Sequence, residues 1–87
     1  MYTIVIPKKI RRSVEKLPDD VQDVFWLLVD VLREKGAIRK EWKNFSDLGK
    51  DKYHCHVQRK YVVCWKWKMK SVVIDVYCAG SREGAPY

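Results

Sequence analysis

The chain is short and basic: its 87 residues include 18 Lys and Arg against 11 Asp and Glu, which gives a formal net charge of +7. A chain of this length builds one small domain around one core, so residues 1–87 should form a single domain. An apolar fraction of 47% is too high for a disordered chain, and no segment resembles a signal peptide or approaches the ~20 apolar residues of a membrane span. The sequence predicts a soluble cytoplasmic protein with no membrane partner.

The first predicted elements are a short strand and two helices. Residues 2–6 form a β-branched run that a proline stops, which is typical of a strand. Between residues 10 and 17, apolar side chains recur at helical spacing among basic ones. Residues 18–35 predict a second helix, with Pro and Asp in its first turn and a glycine after its last. The helices should form a hairpin, in which Trp26 and Val29 either widen the core face or form an exposed patch.

The second half of the chain predicts strands. Residues 37–50 have no clean period and indicate a long connection, anchored to the core by Trp42, Phe45 and Leu48. From residue 52 onward the period is two, and short turns between the runs indicate an antiparallel meander. The predicted strands are residues 52–57, 61–68 and 72–78. The predicted fold class is therefore α+β: an N-terminal strand, an α-helical hairpin and a three-stranded antiparallel meander, forming one sheet with the helices on one face.

Alternation assigns the strand residues to two faces of the sheet. The face predicted to pack on the helices carries Cys55, Val57, Val62, Cys64, Val72, Ile74, Val76 and Cys78. The opposite face is predicted to carry Lys52, His54, His56, Tyr61, Val63, Trp65, Asp75 and Tyr77. This second face would be exposed to solvent and rich in aromatic side chains, a combination that stacking against unpaired bases requires.

The positive charge is concentrated in the middle of the chain. Eleven basic residues lie between Lys35 and Lys70, against three acidic ones. Charge concentrated in this way attracts polyanions, because each phosphate contact releases counterions from the nucleic acid. The pattern favours nucleic acid or another acidic partner, with simple solubility as the alternative.

The cysteines predict neither disulfides nor a metal site. Cys55, Cys64 and Cys78 are odd in number, lack C-x-x-C spacing and lie inside strand-like runs, which is typical of buried thiols in a reducing compartment. Cys55 points away from the histidines on either side of it, so these three side chains cannot converge on one zinc ion. We expect no cofactor.

A pair of histidines is the strongest candidate for chemistry. His54 and His56 are two residues apart in a predicted strand, so they lie on the same face. Two adjacent imidazoles, each with an ordinary pKa of about 6.5, can supply a proton donor and a proton acceptor at neutral pH. The alternative is that both are ordinary surface residues.

Several motifs together resemble the RelE/ParE superfamily of bacterial toxin–antitoxin toxins. The resemblance covers essentially the whole chain, in the order strand, two helices, three strands and tail. The motifs are Leu17-Pro18, the segments 44–49 (NFSDLG), 53–56 (YHCH) and 61–65 (YVVCW), and the ending 80–87 (GSREGAPY). Each is weakly diagnostic alone, and the YHCH strand combined with the ending is the most specific part.

The resemblance implies a metal-independent endoribonuclease that cuts mRNA, typically in the ribosomal A site, through attack by the RNA 2′-hydroxyl. It also implies a cognate antitoxin protein as partner. The catalytic residues implied by position are His54, His56, Arg82 and Tyr87. The residues expected to bind RNA are Lys43, Lys50, Lys52, Arg59, Lys60 and Tyr61.

One departure and two alternatives accompany the resemblance. Where RelE has an arginine in the middle strand this chain has Tyr61, so Arg59 or Lys60 would have to supply that phosphate contact. A ParE-like toxin with the same fold would instead bind a protein target such as DNA gyrase, and an inactive relative would only bind an antitoxin or RNA. The residues leave open which histidine is the base and which is the acid.

Overall fold

The computed structural model describes residues 1–58 and 60–85 and confirms the predicted α+β class. A strand and two helices come first, followed by four strands and a short 3₁₀ helix. The elements are β1 (Thr3–Val5), α1 (Lys8–Glu15), α2 (Asp19–Lys35), β2 (Ser46–Gly49), β3 (Lys52–Gln58), β4 (Tyr61–Lys66), β5 (Val73–Ser81) and the 3₁₀ helix Arg82–Gly84.

The strands form one sheet in the order β1-β5-β4-β3-β2. Strands β2 to β5 pair antiparallel with their neighbours, whereas β1 pairs parallel with β5. A parallel pair needs a crossover connection, and the helical hairpin begins that connection. Both helices pack on the same side of the sheet, as predicted, so no helix among the described residues covers the other side.

The helices begin and end where the sequence indicated. Helix α2 follows Pro18, carries two aspartates in its first turn, and is followed by Gly36 as its C-cap, whose φ of 93° favours glycine. Val29 is buried in the core, so it widens the core face and is not part of an exposed patch. Trp26 is 37% exposed and lies under the Arg11 guanidinium, 5.8 Å from the centre of its ring.

The core lies between α2 and the centre of the sheet. Phe25, Leu28 and Leu32 on α2 are fully buried against the sheet. Trp65 on β4 is also fully buried, and its indole N–H donates to the Ala37 carbonyl at 3.1 Å. This hydrogen bond satisfies the indole and fixes the start of the connection after α2.

The face predicted for β4 was wrong. Tyr53 pairs with Trp65 and Cys55 with Val63, so Trp65 and Val63 face the helices. Tyr61 is likewise packed against this core. Both sets of alternating residues in β4 are apolar, so alternation could not predict which set faces the helices. In the structure the set with the larger aromatic side chains packs on the core. The β4 residues that lie opposite the histidines are instead Val62 and Cys64.

The last strand also differs from the prediction. Strand β5 begins at Val73, and Val72 is 62% exposed rather than buried in the core. The pairing of β4 with β5 contains a bulge, because adjacent β4 residues pair with Val76 and Cys78. Tyr77 is the extra residue, and after it Cys78 lies opposite Cys64, away from the helices.

The predicted connection contains a strand. Residues 46–49 form β2, which pairs with β3 through Ser46 opposite His54 and Asp47 opposite Tyr53. Just before it, Phe45 packs against the core and stacks on Tyr53, with ring centroids 6.0 Å apart. The anchoring prediction therefore holds for Trp42 and Phe45, which both pack against the core, and not for Leu48. Strand β2 forms the edge of the sheet beside the histidines.

Candidate active site

The open side of the sheet carries the candidate site. We call this surface the histidine face. It comprises Lys52, His54 and His56 of β3, Val62, Cys64 and Lys66 of β4, and Asp75, Tyr77, Cys78 and Gly80 of β5. It therefore combines imidazoles, thiols, a phenol and lysines on one surface.

Strand β3 places the two histidines side by side, as predicted. The ring centroids of His54 and His56 are 5.8 Å apart, with the planes tilted by 56°. His54 is only 7% exposed, whereas His56 is half-buried. The two imidazoles therefore share a face but differ in their access to solvent.

Burial, and secondly the charge of His56, lower the pKa of His54 below its ordinary value of 6.5. Cys64 and Val62, the direct partners of the two histidines on β4, lie beside them and are fully buried. His54 is therefore neutral at pH 7, and a neutral imidazole can accept a proton.

Asn44 fixes the second histidine. Its Nδ2 amide donates to Nδ1 of His56 at 3.2 Å, and an Nδ1 that accepts leaves the proton of a neutral imidazole on Nε2. The backbone supports this contact, since the His56 N–H donates to the Lys43 carbonyl at 2.9 Å. Asn44 has a φ of 55°, a left-handed conformation that asparagine tolerates better than most residues. His56 is thus oriented as a donor through Nε2.

Sequence reasoning did not assign a role to Asn44. The only local signal is the residue type, because asparagine is enriched in left-handed turns. Its contact with His56 spans twelve positions and depends on how β2 pairs with β3.

Next to the histidines lie two thiols and a phenol. Cys64 is directly opposite both His54 on β3 and Cys78 on β5. A hydrogen bond with Cys64 lowers the pKa of the Cys78 thiol, although burial opposes this, and the same hydrogen bond together with burial raises the pKa of Cys64. Burial, and then Cys64, raise the pKa of Tyr77 to about 12, so this phenol is neutral at pH 7.

Two lysines extend the site along the sheet. The Nζ atoms of Lys52 and Lys66 lie 5.7 and 5.5 Å from the centre of the Tyr77 ring. Beside them is a cleft of about 260 Å³, which Lys50 also lines. This lysine cleft is lined by four lysines against Asp51 and Asp75, so its net charge is positive, as binding to an RNA backbone requires. The structure thus brings Lys50 and Lys52 together, and Lys43 is exposed at the end of the loop that holds His56.

Arg82 lies at the opposite end. Gly80 shares a row with Val62 and His56 across neighbouring strands, which places the α-carbons of Gly80 and His56 roughly 10 Å apart. Arg82 follows two residues later, is exposed, and forms no ion pair with any residue that the structure describes. Among the described residues, no atom lies within 4 Å of the position that a Cβ on Gly80 would occupy.

The remaining predicted residues divide into two groups. Tyr61 lies on the helix side, where it lines a cleft of about 550 Å³ with Lys60, whose Nζ is 5.6 Å from the Tyr61 ring centre. Its predicted place on the histidine face was wrong, and RNA binding by Tyr61 and Lys60 stays a prediction. Arg59 and Tyr87 lie outside the described residues.

The described residues contain neither a cluster suited to a metal ion nor a membrane-spanning helix. Within residues 1–58 and 60–85, no group of three or more His, Cys, Asp or Glu side chains is arranged to hold a metal ion. No helix in the same part of the chain is long and apolar enough to cross a membrane.

Several solved structures share this fold. The archaeal RelE–RelB complex from Pyrococcus horikoshii OT3 matches with a TM-score of 0.75 and 21% sequence identity, over 97% of this chain and 98% of that one. The isolated Escherichia coli RelE toxin matches with a TM-score of 0.73 and 17% identity, over 99% and 89%. The YoeB–YefM complex from Staphylococcus aureus matches with a TM-score of 0.68 and 8% identity, over 92% and 95%. The chain therefore has the RelE-like toxin fold that its motifs predicted.

The chain is similar to known proteins in structure but has no detectable match in sequence. No protein-family model and no curated protein matches the chain. At these identities the structural matches establish the fold, and any activity has to be argued from the site.

Proposed function

We propose that this chain is the toxin of a toxin–antitoxin pair and that it cleaves mRNA without a metal ion, with the RNA 2′-hydroxyl as the nucleophile. The observation that carries the proposal is the histidine pair. Two imidazoles 5.8 Å apart on the open face occupy different environments, and these suit one as proton acceptor and the other as proton donor. The shared fold with RelE supports the same conclusion.

His54 is the general base in this proposal. Its pKa lies below 6.5, so at neutral pH it is free of its extra proton and can take one from the 2′-hydroxyl. The 2′-oxygen then attacks phosphorus, and the bond from phosphorus to the 5′-oxygen breaks. A positioned base of this kind contributes roughly 10²–10⁴-fold to the rate.

His56 is the general acid. It acts in its protonated form, in which both ring nitrogens carry a proton. Asn44, 3.2 Å from Nδ1, orients the ring; in the imidazolium Nδ1–H donates to the amide oxygen of Asn44, and Nε2–H donates its proton to the departing 5′-oxygen. The products are a 2′,3′-cyclic phosphate and a free 5′-hydroxyl. For the next turnover the proton taken up by His54 is lost to solvent, and His56 regains its own.

Positive charge binds the RNA and stabilises the transition state. Arg82, exposed and unpaired among the described residues, is proposed to hold the phosphate that is cleaved, because a guanidinium can donate two parallel hydrogen bonds to it. Lys50, Lys52 and Lys66 are proposed to follow the RNA backbone away from the histidines. Tyr87 remains a proposed second acid or orienting group, as its motif implies.

Two partners belong to the proposal. The histidine face is open and offers few groups that could grip a base, so we propose that the ribosomal A site presents the mRNA to it. A toxin with a net charge of +7 would also attract an acidic antitoxin segment that folds on its surface. Both partners place the protein in the cytoplasm.

The test is mRNA cleavage in a reconstituted translation reaction, with the 5′ ends mapped for the wild type and for His54→Ala/His56→Ala. We expect cuts in translated mRNA that vanish in the double variant, while antitoxin binding and the melting temperature are retained. The wild-type rate should rise with pH through the pKa of His54, below 6.5, and should fall again at higher pH once His56 has lost the proton that it donates. The same mRNA without ribosomes tests the role of the A site.

Either of two results would overturn the nuclease. Cleavage by a folded double variant would remove the histidines from the mechanism. A toxic wild type that cuts no mRNA, translated or free, would favour a toxin that binds a protein target.

A further inference from the structure

Two of the three cysteines face each other on adjacent strands of the histidine face. Cys64 on β4 is the direct antiparallel partner of Cys78 on β5. The α-carbons of such partners lie about 4.5 or 5.5 Å apart, depending on whether the pair is hydrogen-bonded. Both distances fall within the roughly 4.4–6.8 Å that a disulfide spans. The two sulfurs can therefore be joined without a large movement of the backbone.

The two thiols are reduced in the structure and differ from each other. Cys78 is partly exposed and Cys64 is fully buried. Their hydrogen bond favours the thiolate at Cys78 and the protonated thiol at Cys64, since it lowers one pKa and raises the other. A thiolate is the nucleophilic form of cysteine, and an adjacent thiol can resolve its oxidised product.

The third cysteine provides an internal reference. Cys55 is on the helix side of the sheet, opposite Val63, and is fully buried. Burial raises the pKa of its thiol to about 12. One chain therefore contains a partly exposed thiol that favours the thiolate and a buried thiol that does not.

We propose that Cys78 and Cys64 form a peroxide-reactive dithiol, in which Cys78 is the attacking thiolate and Cys64 the resolving thiol. The Cys78 sulfur attacks one oxygen of hydrogen peroxide and breaks the O–O bond, giving a sulfenic acid and hydroxide. The Cys64 thiol then attacks the Cys78 sulfur, loses its proton and displaces the hydroxyl group as water. Peroxide is reduced, the two thiols are oxidised, and a disulfide links β4 to β5. This chemistry is independent of the proposed RNA cleavage.

The test treats the full-length native protein with hydrogen peroxide at neutral pH, quenches it with N-ethylmaleimide after denaturation, and maps the peptides by mass spectrometry. We expect a peptide pair linked through Cys64 and Cys78, with Cys55 recovered as the alkylated thiol. Without peroxide, N-ethylmaleimide added to the native protein should label Cys78 at least about tenfold faster than Cys55.

Two variants separate the roles of the thiols. Cys64→Ser keeps a hydroxyl that can donate to Cys78 but removes the resolving thiol, so dimedone should trap a sulfenic acid on Cys78. Cys78→Ser should leave Cys64 reduced in peroxide. Labelling of native Cys78 no faster than that of Cys55, or no Cys64–Cys78 link in peroxide-treated wild type, would overturn the proposal. Both readouts use the wild type, so they decide the question even if a variant does not fold.

Discussion

Asn44 offers the sharpest test of how the site is built, because it touches one histidine and not the other. Its side-chain amide lies 3.2 Å from Nδ1 of His56, and in the proposed mechanism this contact orients the ring so that Nε2 faces the leaving oxygen. The perturbation is Asn44→Gly. Glycine removes the amide but adopts the φ of 55° without strain, so the loop keeps its backbone conformation.

The contact sets the size of the effect. A hydrogen bond between two exposed side chains contributes about 0.5–1.5 kcal/mol, which corresponds to roughly a 2- to 13-fold loss of cleavage rate if all of it acts in the transition state. By contrast, the loss of an imidazole that transfers a proton should cost roughly 10²–10⁴-fold. Asn44→Gly should therefore lie well above the histidine variants in activity and close to the wild type in melting temperature.

A double-mutant cycle tests the reasoning. If Asn44 acts only through His56, Asn44→Gly should have no effect in a His56→Ala background but its full effect in a His54→Ala background. The assay is the initial rate of mRNA cleavage at pH 7 for all six proteins, including the wild type. An equal loss of rate in both backgrounds would refute the positioning role. No loss of rate when Asn44→Gly is introduced into the wild type would show that the contact does not contribute to catalysis.

Three further predictions concern other parts of the fold and site. Gly36→Ala should lower the melting temperature by roughly 8–16 °C, equivalent to about 2 kcal/mol. The reason is that a Cβ at φ 93° would be strained and would lie 3.0 Å from the Tyr2 ring. The control is Gly84→Ala, which should change the melting temperature little because the space around Gly84 is open. Lys52→Ala should weaken RNA binding and reduce the salt dependence of log Kobs by about 0.7, and a slope equal to that of Lys35→Ala on the helix side would remove Lys52 from the interface. Arg82→Ala should lower kcat by roughly 10²–10³-fold, and an unchanged kcat with a raised KM would mean that the guanidinium only binds substrate.

Local patterns were sufficient for the helices and for β3. Apolar spacing located both helices. Gly36 marked the end of α2, because glycine adopts a positive φ more readily than any other residue. Alternation placed His54 and His56 together, since residues two apart in a strand share a face whatever pairs with that strand. These features depend on a few consecutive residues, so they can be predicted from the sequence alone.

The parts that failed depend on pairing between strands. Strand β4 is apolar in both phases, so its orientation is decided by which face has room for Trp65, a property of the whole core. The bulge that turns Cys78 onto the histidine face arises from the register of β4 against β5. Similarly, the contact between Asn44 and His56 exists only because the loop before β2 returns to β3.

The orientation of β4 also has a chemical consequence for the histidines. Under the predicted orientation Trp65 and Val63 would have formed the surface beside His54, and the thiols would have been in the core. The observed orientation instead places small, fully buried Val62 and Cys64 beside the imidazoles, and His54 is 7% exposed. That burial is the first cause of its lowered pKa. The lowered pKa favours the neutral form of His54 at pH 7, which is the form that can accept a proton. The orientation of β4, which sequence periodicity could not predict, therefore bears directly on the proposed role of His54 as a base.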